Sequence, residues 1–323
     1  MDRLDLGYGG WHRIIRDCFV TSFLAMTLCP ASSAHAGQAP SLEDLNRAKM
    51  PNCSDVVKFP SGLMSPCSAD AYYDRGILFE KQGNYSKAIS DFTQSIKINP
   101  QDAEGYYNRG NAYAQLNKFS QAIEDYNKVI ELNPQDATAY FNRGLIYNKQ
   151  GNLNIAISDY TQAIKINPEY AESYHNRGLS WDKEGNLTQA LADLNKCIEL
   201  KPELAESYYN RGIIYDKQSK YIDAINDFSK AIKLNPNYAE AYVNRGEVYV
   251  EQDDFDQARY DFTVAIEMNP KIAQAYNNRA IVYFQLKQYS KALRDLQKAK
   301  DLGYSVDPEF MTIIEKTRVQ RNR

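Results

Sequence analysis

Only three histidines and five cysteines occur in the 323 residues of this chain. Two of each, His12 and His35 with Cys18 and Cys29, precede residue 37. The remainder, His175 with Cys53, Cys67 and Cys197, offers no histidine pair and no Cys/His cluster of the kind a metal site needs, so no metal and no cofactor are expected. Nothing in the spacing pairs Cys197 with a histidine; it reads as a small packing residue. Charge of one sign is not in excess either: 38 Lys+Arg face 41 Asp+Glu, a formal net of -3. Without a basic stripe, broad attraction of nucleic acid is not expected, and the 25 tyrosines mostly occupy packing positions and do not by themselves indicate base stacking. The apolar stretch Cys18 to Leu28 is about eleven residues long, too short to serve comfortably as a permanent membrane span. A singular carboxylate pair is also missing, because the carboxylates recur at a fixed interval. No catalytic residue is assigned, and the chain is read as non-enzymatic.

What is present in abundance is self-similarity. Near-copies open at Ala69, Ala103, Ala137, Ala171, Ala205, Ala239 and Ala273, a period of 34 residues. Such a unit cannot bury its apolar face alone and must stack on its neighbours. Within each copy a glycine returns (Gly76, Gly110, Gly144, Gly178, Gly212, Gly246), replaced by Ala280 in the last. A small residue follows at Ala88, Ala122, Ala156, Ala190, Ala224, Ala258 and Ala292, and four positions later Phe92, Tyr126, Tyr160, Leu194, Phe228, Phe262 or Leu296. Spacings of three and four belong to one face of a helix. Each unit therefore reads as two helices, as in Ala103 to Leu116 and Phe119 to Leu132, joined by a tight turn. Asn-Pro pairs such as Asn133/Pro134 end the second helix. The periodic glycine implies a close helix crossing, since in a helix it costs about 1 kcal/mol against alanine.

Two charged rows keep the same period. Arg109, Arg143, Arg177 and Arg211 lie in first helices, and Asp125, Asp159, Asp193 and Asp227 lie sixteen positions later in second helices; Arg75, Arg245, Arg279 and Asp91, Asp261, Asp295 extend them. That offset brings antiparallel helices side by side, so a charge-assisted, bidentate pair is expected, within one unit or to its neighbour. The alternative is that the arginines only solvate the surface.

In residues 103 to 134, Tyr106, Gly110, Tyr113, Ala122, Tyr126 and Pro134 carry a pattern that resembles the tetratricopeptide repeat, over about Ala69 to Tyr304. The resemblance implies an all-α, right-handed superhelical solenoid of antiparallel helix pairs, with first helices lining a concave groove. It further implies that Asn108, Asn142, Asn176, Asn210, Asn244 and Asn278 face the groove as a ladder for the backbone of an extended peptide. One amide both donates and accepts, and so reads main chain without regard to side chain. The column just before it, including Tyr107, Phe141, His175 and Tyr209, is expected to form the groove floor. Repeated asparagine can also report descent by duplication of units. Basic residues that would clamp a terminal carboxylate do not stand at these positions. Rows of Glu104, Glu172, Glu206, Glu240 and of Lys81, Lys149, Lys183, Lys217 are candidates for orienting a ligand.

Residues 1–36 read as an export signal: Arg13 and Arg16 precede the apolar stretch, and Ala34-His35-Ala36 offers a cleavage site, with a short membrane-associated or disordered leader as the alternative. Cleavage would place the chain in the periplasm or outside the cell. In the leader segment 37–68, Cys53 and Cys67 then have the option of a disulfide worth about 3 kcal/mol, against free thiols. Residues 69–304 hold the seven units. In 305–323, Asp307 and Pro308 start a capping helix with Phe310, Ile313 and Ile314 on its apolar face, followed by a basic tail. The expected role is a scaffold or adaptor whose partner is a protein or peptide; the alternative is an architectural subunit of an envelope complex, docking through convex or end surfaces.

Overall fold

The computed structural model describes residues 68–321. The export pattern, segment 37–67 and the Cys53–Cys67 pair lie outside the described residues. Seven helix pairs follow one another: α1 (Ala69–Lys81) and α2 (Tyr85–Ile98), α3 (Ala103–Gln115) and α4 (Phe119–Leu132), α5 (Ala137–Lys149) and α6 (Leu153–Ile166), α7 (Ala171–Lys183) and α8 (Leu187–Leu200), α9 (Ala205–Lys217) and α10 (Tyr221–Leu234), α11 (Ala239–Glu251) and α12 (Phe255–Met268), α13 (Ala273–Gln285) and α14 (Tyr289–Asp301). A last helix, α15 (Pro308–Arg321), closes the row. The architecture is an all-α solenoid of paired antiparallel helices. Successive first helices touch (α1 with α3, α5 with α7, α7 with α9, α9 with α11, α11 with α13), whereas successive second helices stay further apart. The first helices therefore form the inner side of the stack.

Local chemistry sets each boundary. Second helices stop at Asn99, Asn133, Asn167, Asn235 and Asn269, whose backbone leaves the helical region ahead of proline. Each of these asparagines also accepts, on Oδ1, the amide N–H two residues on, at 3.1–3.3 Å. Between the helices of a pair the chain reverses through one left-handed residue: Gly83, Gly151 and Gly185, but Asn117, Ser219, Asp253 and Lys287 in the other units. This conformation is free to glycine and costs other residues about 1 kcal/mol or more.

Packing within a pair is built on contrast in size. The recurring alanines, Ala88 to Ala292, are fully buried, which lets the two helices approach. The recurring glycine then receives the aromatic ring of its own unit. A Cβ on Gly144 would lie 2.8 Å from Tyr160, and one on Gly212 2.8 Å from Phe228. Opposite Gly178 stands Leu194, and the closest approach relaxes to 3.2 Å. The seventh unit combines Ala280 with Leu296, so alanine appears where the partner is not aromatic.

At the far end Asp307 Oδ1 caps α15 through the amide of Glu309 at 2.8 Å. Ile314 is fully buried against the seventh unit, and Phe310 meets Phe284 edge-on, ring centroids 5.4 Å apart; Ile313 is only half-buried.

Candidate functional site

All seven arginines form the anticipated fork within their own unit. Nε donates to one aspartate oxygen at 2.6–2.9 Å and Nη2 to the other at 2.6–3.0 Å. The aspartate side chains are almost wholly buried and the guanidiniums largely so, which excludes arginines that merely solvate the surface. Burial pushes the Asp159 carboxyl above the usual carboxylate range, and the bonds from Arg143 pull it back. Each guanidinium also lies over the ring of the tyrosine three residues before it, at 5.5–5.7 Å. The third nitrogen, Nη1, does something spacing did not suggest. It reaches into the preceding unit, to Thr93, Asn127, Thr161, Asn195, Ser229 or Thr263, at 2.5–3.2 Å. The signal existed in the sequence as a small polar residue two places after each aspartate. Gln297 replaces it in the last unit, where no further arginine of the row follows.

The asparagine row lies on the inner first helices, and its donors are largely engaged. Asn108 Nδ2 donates to Tyr73 Oη at 2.8 Å, Asn142 to Tyr107 at 2.9 Å, and Asn244 to Tyr209 at 3.1 Å. Each bond joins one unit to the column residue of the unit before. Asn210 makes the equivalent, longer contact to His175 Nε2 at 3.4 Å. Where the preceding column residue cannot accept, the rung turns away: behind Asn176 stands Phe141, and Asn176 Nδ2 goes to the Glu172 carbonyl at 2.8 Å. Behind Asn278 stands Val243, and its Nδ2 goes to Glu247 Oε1 at 2.7 Å. The Oδ1 atoms of Asn108, Asn142, Asn176, Asn210 and Asn244 accept no hydrogen bond within the described residues. The rungs thus present acceptors to the inner face.

Two column residues do not line a floor. Phe141 is 2% exposed and Tyr209 8% exposed. Tyr170 covers Phe141 with ring centroids 4.9 Å apart, and Tyr238 covers Tyr209 at 4.7 Å. Both covering tyrosines occupy the N-cap position of the next first helix, where earlier units have Asp102 and Asp136. Tyr107, under such an aspartate, stays half-buried, so of the three named aromatics it alone keeps appreciable exposed surface.

The charged rows are also rearranged. Lys217 binds both oxygens of Asp182 at 2.7 Å, Lys183 donates to Asn148 at 3.1 Å, and Lys149 to Asn117 at 3.1 Å. Glu172 pairs with Lys201, and Glu104 accepts from Tyr73. Cys197, fully buried, is not isolated from histidine: its Sγ lies 3.2 Å from Ser207 Oγ, which lies 2.8 Å from His175 Nδ1. Burial draws His175 down to about 4, so the ring is neutral near pH 7, and with Nε2 facing the Asn210 amide it places its proton on Nδ1. This chain of contacts joins the fourth and fifth units. Among the described residues no group of three or more His, Cys, Asp or Glu side chains is arranged to hold a metal. No described helix is long and apolar enough to cross a membrane.

Comparisons with known proteins agree with this geometry. A family model described as tetratricopeptide repeat matches residues 69–102, 137–170, 205–238 and 273–302; a second of that description matches 92–124 and 228–260, and a TPR repeat model matches 110–151 and 183–219. No curated protein matches. Among solved structures, YrrB, described as a TPR protein with an unusual peptide-binding site, is 25% identical with a TM-score of 0.50, covering 57% of this chain and 95% of that one. A tetratricopeptide repeat protein from Parabacteroides merdae (20% identity, TM-score 0.58, 77% and 97% covered) shares the fold. So does the C-terminal part of a TPR repeat-containing protein from Cytophaga hutchinsonii (21%, 0.60, 71% and 95%).

Proposed function

We propose that this chain, which belongs to the tetratricopeptide repeat family, is a non-catalytic scaffold that holds an extended segment of a partner protein along its first helices. The observation that carries this reading is the row of asparagine Oδ1 atoms, one in each of the second to sixth units, left without donors on the inner face. Backbone N–H groups of an extended chain are the complementary ligand. YrrB, similar in fold and described as having a peptide-binding site, supports the assignment. The proposed rungs are Asn108, Asn142, Asn176, Asn210 and Asn244, with Tyr107 beside them. On the residue 1–36 pattern alone, we place the protein in the periplasm or outside the cell.

The test is the triple substitution of Asn142, Asn176 and Asn210 by alanine. Binding of a partner peptide should be lost while circular dichroism keeps its helical signal. Because Asn142 and Asn210 also join units, Tyr73→Phe serves as control, removing the acceptor of the Asn108 junction and leaving the rung in place. Undiminished capture by the triple variant would reject the groove and favour an architectural subunit docking through convex or end surfaces.

A further inference from the structure

We infer that residues 53–67 pack against the open side of α1 and close the first end of the array. A stack of repeats has two ends, and each leaves a face that a further unit would have covered. At the far end α15 fills that face, with Ile314 fully buried against the seventh unit. At the near end three positions of α1 show what is left uncovered. The equivalents of Leu78 in the later units, Ala112, Ile146, Ser180, Ile214, Val248 and Val282, are 0–2% exposed. They are covered from the unit before: Ile146 packs with Tyr126, and Ile214 with Leu194. Leu78 itself is only half-buried. The equivalents of Ala71, from Gly105 to Ala275, are all buried, and Ala71 is not. Between these two lies Arg75. Its fork onto Asp91 is complete, but it has no unit before it, and its Nη1 finds no acceptor among the described residues, where the other six arginines find one. The Arg75 side chain keeps 24% of its surface exposed, against 14–18% in the other six. Ala71, Arg75 and Leu78 follow at spacings of four and three, so they share one face of α1. That face is apolar, with an unanswered cationic donor at its centre.

The face does not suit another repeat. The second, third, fifth and sixth units tie themselves to their predecessors through an asparagine Nδ2, whereas the first unit has Asp74 there, exposed and unable to donate. A second copy stacked head to tail has no open end to offer, because α15 occupies it. Residues 53–67, outside the described residues, are the nearest occupant. They join α1 at Ser68, whose Oγ accepts the Ala71 amide at 3.1 Å, so the segment begins one turn from the face. Fully extended, 15 residues span about 50 Å, and the 13 residues of α1 about 20 Å, so the segment can run the length of the face. The tether makes the contact intramolecular, at an effective concentration on the order of millimolar. In the 34-residue register Val57 falls where Asp91 stands, and Pro60 falls inside the second helix, so this stretch does not continue the repeat pattern. Its composition matches the face it would cover: Val56, Val57, Phe59 and Leu63 supply apolar surface, and Asp55 supplies an acceptor for the Arg75 guanidinium.

The experiment uses the full chain with the photoreactive p-benzoylphenylalanine in place of Phe59, one aromatic for another. After irradiation and digestion, mass spectrometry should find the cross-link within α1 of the same chain. A cross-linked dimer overturns the inference in favour of a second copy, and a link only to other parts of the chain, or no link, overturns it outright. A second arm follows amide hydrogen exchange in the full chain carrying Val57→Ser and Phe59→Ser, which alter no residue of the repeats. Exchange in α1 should quicken about tenfold or more, while α5, in the middle of the array, keeps its rate. An unchanged rate in α1, or equal quickening in α5, also overturns the inference.

Discussion

The second and third units and the sixth and seventh units share one interior and differ in their inner faces. In both regions the arginine fork, the ring beneath the guanidinium and the reach of Nη1 into the preceding unit recur, the Nη1 contact ranging from 2.5 Å at Arg143 to 3.2 Å at Arg279. On the inner face the first region has amide-to-phenol bonds, Asn108 to Tyr73 and Asn142 to Tyr107. In the second region Asn244 still donates to Tyr209, but the column then changes to Val243 and Asn277, and Asn278 and Gln274 donate to Glu247 instead. Helix pairs can dock in few ways once a glycine and a ring are chosen, so the interior repeats. The inner face has no such constraint, and there the units have diverged.

The largest effect should come from breaking what the two regions share. Asp159→Ala, leaving Arg143 largely buried without its carboxylate, should cost about 3–5 kcal/mol in denaturant unfolding. Asp125→Ala and Asp295→Ala should cost similar amounts, and a strong inequality would show that the interior is not equivalent along the array. Arg143→Lys, which keeps charge but loses the fork, should fall below the alanine cost yet remain measurable.

Next comes size. Gly144→Ala pushes a methyl into Tyr160 and should cost about 1–3 kcal/mol. Gly178→Ala meets only Leu194, and the gain of about 1 kcal/mol in helix propensity should offset most of the crowding. Equal thermal shifts for the two would contradict the ring-in-glycine account.

A smaller pair concerns hydroxyls. Tyr126 Oη donates to Asn111 Oδ1 at 2.7 Å, but in the third unit Leu145 stands at the equivalent position, and Tyr160 Oη is buried without a hydrogen-bond partner. Tyr160→Phe should be neutral or stabilising by up to about 1 kcal/mol, and Tyr126→Phe destabilising by about 1 kcal/mol. The same sign for both variants in paired melts would refute the assignment.

The mildest test bears on the divergent face alone. Burial, with Asp216 and Glu251 adding to it, raises Glu247 to about 8, so the folded state holds a proton that the unfolded chain releases near its ordinary value of 4.5. Stability from this group is therefore full below about pH 4.5 and is lost as pH rises toward 8. Because the residue is only partly buried, solvent should keep the change small. Glu247→Gln should flatten the melting temperature between pH 5 and pH 8, and an unchanged slope would count against the shift.

Much of the interior could be read from spacing. Helix limits, the glycine crossings and the Arg–Asp partners all follow from intervals within one unit. What escaped depends on contacts between units. Phe141 and Tyr209 looked like floor residues because their own helix points them inward, but Tyr170 and Tyr238, arriving 29 positions later, cover them. The clue was the change at the N-cap, from Asp102 and Asp136 to tyrosine. Likewise Cys197 and His175 are linked only through Ser207, a residue of the following unit. The donor side of the asparagine row was hidden in the same way, since the acceptors of Asn108, Asn142, Asn210 and Asn244 lie 35 positions earlier.

The arginine geometry has a mechanical consequence. Two nitrogens hold the pair together and one holds it to its predecessor, so a pull along the array loads the weaker link first. Junctions of the same type stand in series, and small openings at each would add up to a large extension before any pair separates. Under tension the array would then lengthen at its junctions before its helix pairs separate.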